Sequence, residues 1–190
     1  MLGTLVFIVI VAAVAFGGIG LYNRLVALKH RVATAWSNID VLLKQRHDEL
    51  PKLVDTCRQY MQYEQQTLEN VMQARNAVYA ARESGDVAGV SAAEGSLRSG
   101  LGRLFAVAEA YPDLKANASF QQLQTRISAL ETGISDRREL YNEAVNVNNA
   151  TIEQFPASII AGLFGFRPAK LLEFADAEKT DVSVKALFND

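Results

Sequence analysis

No charged side chain occurs before Arg24, and the whole chain holds one cysteine, two histidines, four prolines and one tryptophan. Each shortage excludes something. Cys57 cannot close an internal disulfide, and without a second thiol it belongs to no zinc-ligand spacing. Neither His30 nor His47 follows a glutamate by three residues, so the Glu-x-x-His repeats of a di-iron bundle are missing. No phosphate loop, nucleophile elbow or dinucleotide fingerprint occurs, and Gly100-Leu101-Gly102-Arg103 lies inside a helical pattern. Lys and Arg number 19 against 21 Asp and Glu, with no basic stripe interleaved with aromatics, so nucleic acid is not an expected partner. No metal, no cofactor and no catalytic residues are expected, and the chain does not read as an enzyme.

What is present begins at residue 2. MLGTLVFIVIVAAVAFGGIGLYN is apolar or small apart from Thr4, Tyr22 and Asn23. As a helix, residues 2–22 extend about 30 Å, the thickness of a bilayer's hydrocarbon core. Ala13-Val14-Ala15 resembles a signal-peptidase site, but no Lys or Arg precedes the run, and the run continues past it to Leu21. A retained transmembrane helix is therefore expected, and the lipid bilayer is the first expected partner. Arg24, Lys29, His30, Arg31, Lys44 and Arg46 follow the span, against Asp40 and Asp48. Lys and Arg stay on the cytoplasmic side, so the N-terminus is expected outside and the body in the cytoplasm, at a bacterial inner membrane. The opposite arrangement places the body in the periplasm or outside the cell.

Glycine and proline are scarce from residue 21 to 81, where Pro51 is the only one. Leu25, Leu28, Val32, Ala35, Ile39 and Leu42 keep a three-four rhythm. It resumes at Leu50, Leu53, Cys57 and Tyr60, then at Thr67, Val71, Ala74 and Val78. That is the seam of a helix packed on helices. Pro51 lacks a backbone donor and disfavours helix at Leu50, so a kink or short break is expected at residues 48–51, with Asp48 as a possible N-cap. Gly85 reads as a helix stop and Asp86 as the next N-cap. Val87, Val90, Leu97, Leu101, Leu104 and Ala108 form a further seam that ends at Tyr111-Pro112. A last long helix runs from about Asn117 to Phe155, where Pro156 stops it. Nothing alternates with period two. The expected fold is all-α: a single N-terminal transmembrane helix (2–22), then an antiparallel up-and-down four-helix bundle with long helices (24–156), then an apolar segment and mixed-charge tail (157–190).

Five polar residues, Arg46, Glu64, Glu94, Arg137 and Asn148, fall where the rhythm predicts an apolar side chain. A buried charge needs a partner, because desolvation costs several kcal/mol per ion (about that order in real proteins). Pairing between helices that fixes register is one reading; a polar binding site inside the bundle is the other. The stretch at 155–166 is too short to span a bilayer. It reads as a strand or turn that seals the bundle, or as a patch of Phe155, Ile159, Ile160, Leu163, Phe164 and Phe166 that touches lipid or protein. A short amphipathic helix is expected at about 169–174.

Tyr22-Asn23-Arg24-Leu25-Val26, followed by Ala35-Trp36-Ser37-Asn38-Ile39-Asp40-Val41-Leu42-Leu43-Lys44-Gln45-Arg46-His47-Asp48-Glu49-Leu50-Pro51-Lys52-Leu53-Val54, resembles the signature of the bacterial LemA family. The resemblance continues through Tyr111-Pro112-Asp113-Leu114-Lys115-Ala116-Asn117, Arg137-Arg138-Glu139-Leu140-Tyr141-Asn142, Phe155-Pro156 and Phe164-Gly165-Phe166. It covers nearly the whole chain and thins after Arg167. The family often has Gln at the position of Leu43 and Arg or Lys at that of Gln45. The resemblance implies one N-terminal membrane helix and a cytoplasmic four-helix bundle, without an established catalysis. The expected function is a membrane-anchored scaffold or interaction protein, with a protein partner or a second copy of itself. Lipid binding or membrane remodelling is the alternative, and a small-ligand or metal-binding bundle a further one.

Overall fold

The protein is described by a computed structural model covering residues 1–173. Its elements are α1 (Leu2–Arg58), α2 (Gln65–Glu83), α3 (Val87–Ala108), α4 (Pro112–Ala116), α5 (Ala118–Glu153) and α6 (Ala157–Phe164). No strand occurs among the described residues, so the fold is all-α. α1 is the one helix among them long and apolar enough to cross a membrane. Every residue from 1 to 17 is exposed.

Punctuation residues set most boundaries. Gly85 adopts φ +67°, a left-handed conformation that costs glycine nothing, and its neighbour Asp86 precedes α3 as N-cap. Pro112 opens the short α4 and Asn117 Oδ1 accepts the Phe120 amide at 3.1 Å, capping α5. The Phe155–Pro156 peptide is cis, and α5 ends at Glu153 before it.

Three expectations are corrected. α1 passes Pro51 without a break, which removes the break and leaves the kink as the surviving half of that expectation, and Asp48 lies inside the helix rather than capping a new one. Residues 157–164 form a helix, not a strand or turn: Ala and Leu suit its roughly two turns, and Gly165 at φ +70° closes it with the Phe166 amide on the Ala161 carbonyl at 2.9 Å. Residues 169–173 are not helical, since Asn149 holds the Ala169 backbone from outside; the remainder of that expected helix lies outside the described residues.

The chain divides into two compact units. The first joins Met1–Ile39 to Asp136–Leu171. Leu25, Ile152 and Ala161 form its buried cluster, with Ile160 and Phe166 packed against it. Trp36 and Tyr141 lie 5.5 Å apart between ring centroids.

The second unit joins Asp40–Ser135, among the described residues, to Leu172 and Glu173. Two buried seams alternate strictly by three and four: Leu43, Arg46, Leu50, Leu53 and Cys57 on α1, and Val90, Glu94, Leu97, Leu101, Leu104 and Ala108 on α3. That spacing keeps one helix face turned inward along its length. The pairings run in opposite sequence order, Asp40 with Arg82 and His47 with Arg75, so α1 and α2 are antiparallel here. Arg46 with Glu131 and Glu49 with Arg126 show the same for α1 and α5. Glycine permits two close approaches. A Cβ on Gly133 would stand 3.2 Å from Leu42 Cδ1, and one on Gly100 would stand 3.4 Å from Val71.

Candidate functional site

Arg46 sits on the α1 seam with 1% of its surface exposed. Its Nη2 donates to Glu94 of α3 and its Nη1 to Glu131 of α5. Arg98 reaches the second Glu131 oxygen at 3.5 Å. Burial by itself would lower the Arg46 pKa, but the two carboxylates outweigh it and hold the guanidinium above its ordinary value. Arginine suits this place because its planar fork presents donors in two directions while remaining charged.

The next residues on α1 turn to other helices. Pro51 has no amide to give the carbonyl four residues back, which belongs to His47. Arg75 of α2 supplies the missing donor: its Nε reaches the His47 carbonyl oxygen at 2.9 Å. This contact explains why the helix continues through the proline. Burial, followed by the positive charge of Arg75, pushes the His47 imidazole below its ordinary value. Its ring stacks on Tyr79 at 4.4 Å between centroids. Arg82 lies 5.8 Å from the Tyr79 centroid and grips Asp40 with two nitrogens, the Nη2 contact at 2.9 Å. Its pKa is raised, chiefly by the hydrogen bond to Asp40. Glu49 takes Arg126 of α5 at 3.2 Å and Lys52 at 3.4 Å. Arg46, His47 and Glu49 thus tie α1 to α2, α3 and α5 from one stretch of sequence.

The five polar seam residues do not form one constellation. Arg46 and Glu94 meet. Glu64 is half-buried ahead of α2, where its carbonyl accepts the Leu68 amide at 3.2 Å. Arg137 is exposed and its neighbour Arg138 is the buried one. The buried seam steps Ile134, Arg138, Tyr141, Val145, Asn148, Ile152, so Arg137 falls one helical position off it. Asn148 is buried and donates to Asn149 Oδ1 at 3.1 Å. Glu131 was not singled out by the sequence, because its position is half-buried and next to the seam residue Leu130. Cys57 is fully buried, and desolvation pushes its thiol up to about 12. Among the described residues no three His, Cys, Asp or Glu side chains gather as metal ligands would.

The C-terminal apolar residues separate into two faces. Ala157 and Ala161 are buried and Ile160 and Phe166 half-buried, whereas Phe155 is 81% exposed, Ile159 54%, Leu163 75% and Phe164 62%. Tyr22 of α1 packs on Phe164 at 4.8 Å and on Phe166 at 5.8 Å. The chain beyond α6 is fixed by Asn149, whose Nδ2 donates to the Ala169 carbonyl and whose Oδ1 accepts the Ala169 amide, both at 2.9 Å. The Tyr141 hydroxyl donates to the Lys170 carbonyl at 2.8 Å, and burial raises its pKa. A cleft of about 620 Å³ opens here, lined on one side by Tyr22, Val26, Lys29 and His30 and on the other by Phe164, Phe166 and Arg167.

These features define a class: an all-helical protein with one exposed apolar helix of membrane-spanning length and a body whose helices are joined by buried charge pairs. The chain belongs to the LemA family, whose model matches residues 35–186. It is similar to Protein LemA of Metamycoplasma hominis, 28% identical over 97% of this chain and 84% of that protein. It is also similar to Magnetosome protein MamQ 2 of Paramagnetospirillum magneticum, 32% identical over 109 residues, 56% of this chain and 40% of the relative. Magnetosome protein MamQ of Magnetospirillum gryphiswaldense is 26% identical over 52% of this chain and 36% of its own length. The chain therefore spans less than half the length of the MamQ relatives it matches. None of these names states a reaction.

Proposed function

We propose that the protein is a single-pass membrane-anchored scaffold that presents a helical body to a protein partner or to a second copy of itself, with no catalytic step of its own. The observation that carries this is the exposed, uncharged stretch of α1. Apolar side chains left uncovered over that length are stable in lipid and not in water. The body's polar seam residues support a structural role, since Arg46 and Glu94 are engaged with each other. The positive residues following the span favour the N-terminus outside and the body in the cytoplasm, at the inner membrane of a bacterium. In-cell crosslinking of the intact chain followed by mass spectrometry tests the reading. Recovery of one membrane protein, or of a dimer of this chain, is expected. A chain that stays monomeric in detergent and captures nothing overturns it.

The two-faced α6 favours lipid contact as a second reading.

A further inference from the structure

We propose that α6 lies in the membrane–water interface and that the cleft beside it binds the phosphate of an anionic phospholipid, held by Lys29, His30 and Arg167. The proposal deepens the anchor reading and rests on it.

Depth comes first. α6 is fastened to α1 over a short stretch: a Cβ on Gly18 would stand 3.9 Å from Ile160, Tyr22 packs on Phe164, and Leu25 packs with Ala161. That stretch contains Arg24, the first charge in the chain. α6 therefore lies where the uncharged run gives way to charge, and Tyr22 is the ring type that occupies a headgroup boundary. Its outer residues Ile159 and Leu163 stand four apart and stay exposed, as does Phe155 just ahead of the helix. They continue the exposed apolar surface of α1 rather than standing alone, which commits the occupant to lipid. An eight-residue helix is too short to hold a bilayer unaided, so it depends on the anchor next to it.

Charge comes second. Lys29, His30 and Arg167 line the cleft with Tyr22, Phe164 and Phe166, and among the described residues no acidic one lines it. Among the described residues neither Lys29 nor Arg167 has an ion-pair partner. Lys29 stands about 9 Å along the helix from Asn23, the last uncharged residue of the run, which is headgroup depth. Cations over an aromatic, apolar floor match a phosphodiester whose acyl chains lie against α6.

The test uses the full chain in nanodiscs of phosphatidylcholine with and without phosphatidylglycerol. Leu163→Cys carries an environment-sensitive fluorophore; Cys57 is buried and does not compete for the label. A blue-shifted emission quenched by brominated lipid is expected, and a water-like emission overturns the interfacial placement. Retention of phosphatidylglycerol over phosphatidylcholine through detergent washing is expected to fall about tenfold in Lys29→Gln/Arg167→Gln, with the Leu163 signal unchanged. Unchanged lipid preference, or displacement of the lipid by inorganic phosphate alone, overturns the phospholipid site. Crosslinks from position 163 to a protein instead of lipid overturn both. Alkaline carbonate extraction reads the anchor separately: release from membranes fails the anchored-scaffold reading, whereas retention with a water-exposed Leu163 label fails this inference alone.

Discussion

The helices of the second unit and the chain after α6 in the first are fastened by different chemistry. In the second unit ion pairs join the helices: Arg46 to Glu94 and Glu131, Arg82 to Asp40, Arg126 to Glu49. In the first unit the contacts that fix the chain after α6 are neutral: the Asn149 amide on Ala169, the Tyr141 phenol on Lys170, and Tyr22 against two phenylalanines. Buried charges are unforgiving, because removing one partner strands the other in a poor solvent. Neutral amide and ring contacts strand less, and they need no water nearby to be affordable. The chain after α6, in the unit that carries the uncharged run, is held by the second kind.

Breaking the central pair should have the largest effect. Arg46→Met leaves Glu94 and Glu131 without their shared cation and is expected to destabilise the fold by about 3–5 kcal/mol. Denaturant unfolding of the full chain in detergent, followed by circular dichroism, measures it. Arg75→Ala removes the donor on the His47 carbonyl and is expected to cost about 1–3 kcal/mol. The cost should shrink when combined with Pro51→Ala, because the new backbone amide then donates to that carbonyl. A double-mutant cycle with no coupling would refute the link between Pro51 and Arg75.

The neutral fastening should respond more mildly and locally. Asn149→Ala loses both hydrogen bonds to Ala169 and the one accepted from Asn148, and is expected to cost about 1–3 kcal/mol, read as faster amide exchange at Ala169 with the second unit's protection unchanged. Asn149→Asp keeps the acceptor for the Ala169 amide and should recover part of that protection. The smallest effect is a pH slope. The His47 pKa is depressed below 6.5 in the folded protein, so the unfolded chain takes up the proton first as pH falls. Stability from this group is full above that value and declines as pH drops from it toward the folded pKa. His47→Gln should flatten melting temperature against pH in that window and leave the neutral range unchanged.

Helix type and most boundaries were legible because they are local: the three-four rhythm, Gly85, Pro112 and Pro156 act within a few residues of themselves. The misreadings have long-range causes. Pro51 breaks a helix whose freed carbonyl meets water, but here Arg75 meets it from another helix, which no local pattern reveals. Arg137 and Arg138 both fit a step of three or four after Ile134, and only the burial of Tyr141 and Val145 together selects the second. Glu131 lies beside its seam rather than on it, and a long carboxylate arm still reaches Arg46. The two faces of α6 were likewise hidden, since every residue on them is apolar or small and pattern alone cannot separate covered from uncovered.

The borrowed donor at Pro51 also bears on the order of synthesis. The His47 carbonyl has no backbone amide to wait for, and its partner is encoded 28 residues downstream. While the ribosome is still adding residues 52–74, α1 therefore carries a gap in its hydrogen-bond ladder that nothing yet made is positioned to close. The nascent helix completes itself only when α2 has emerged and turned back on it.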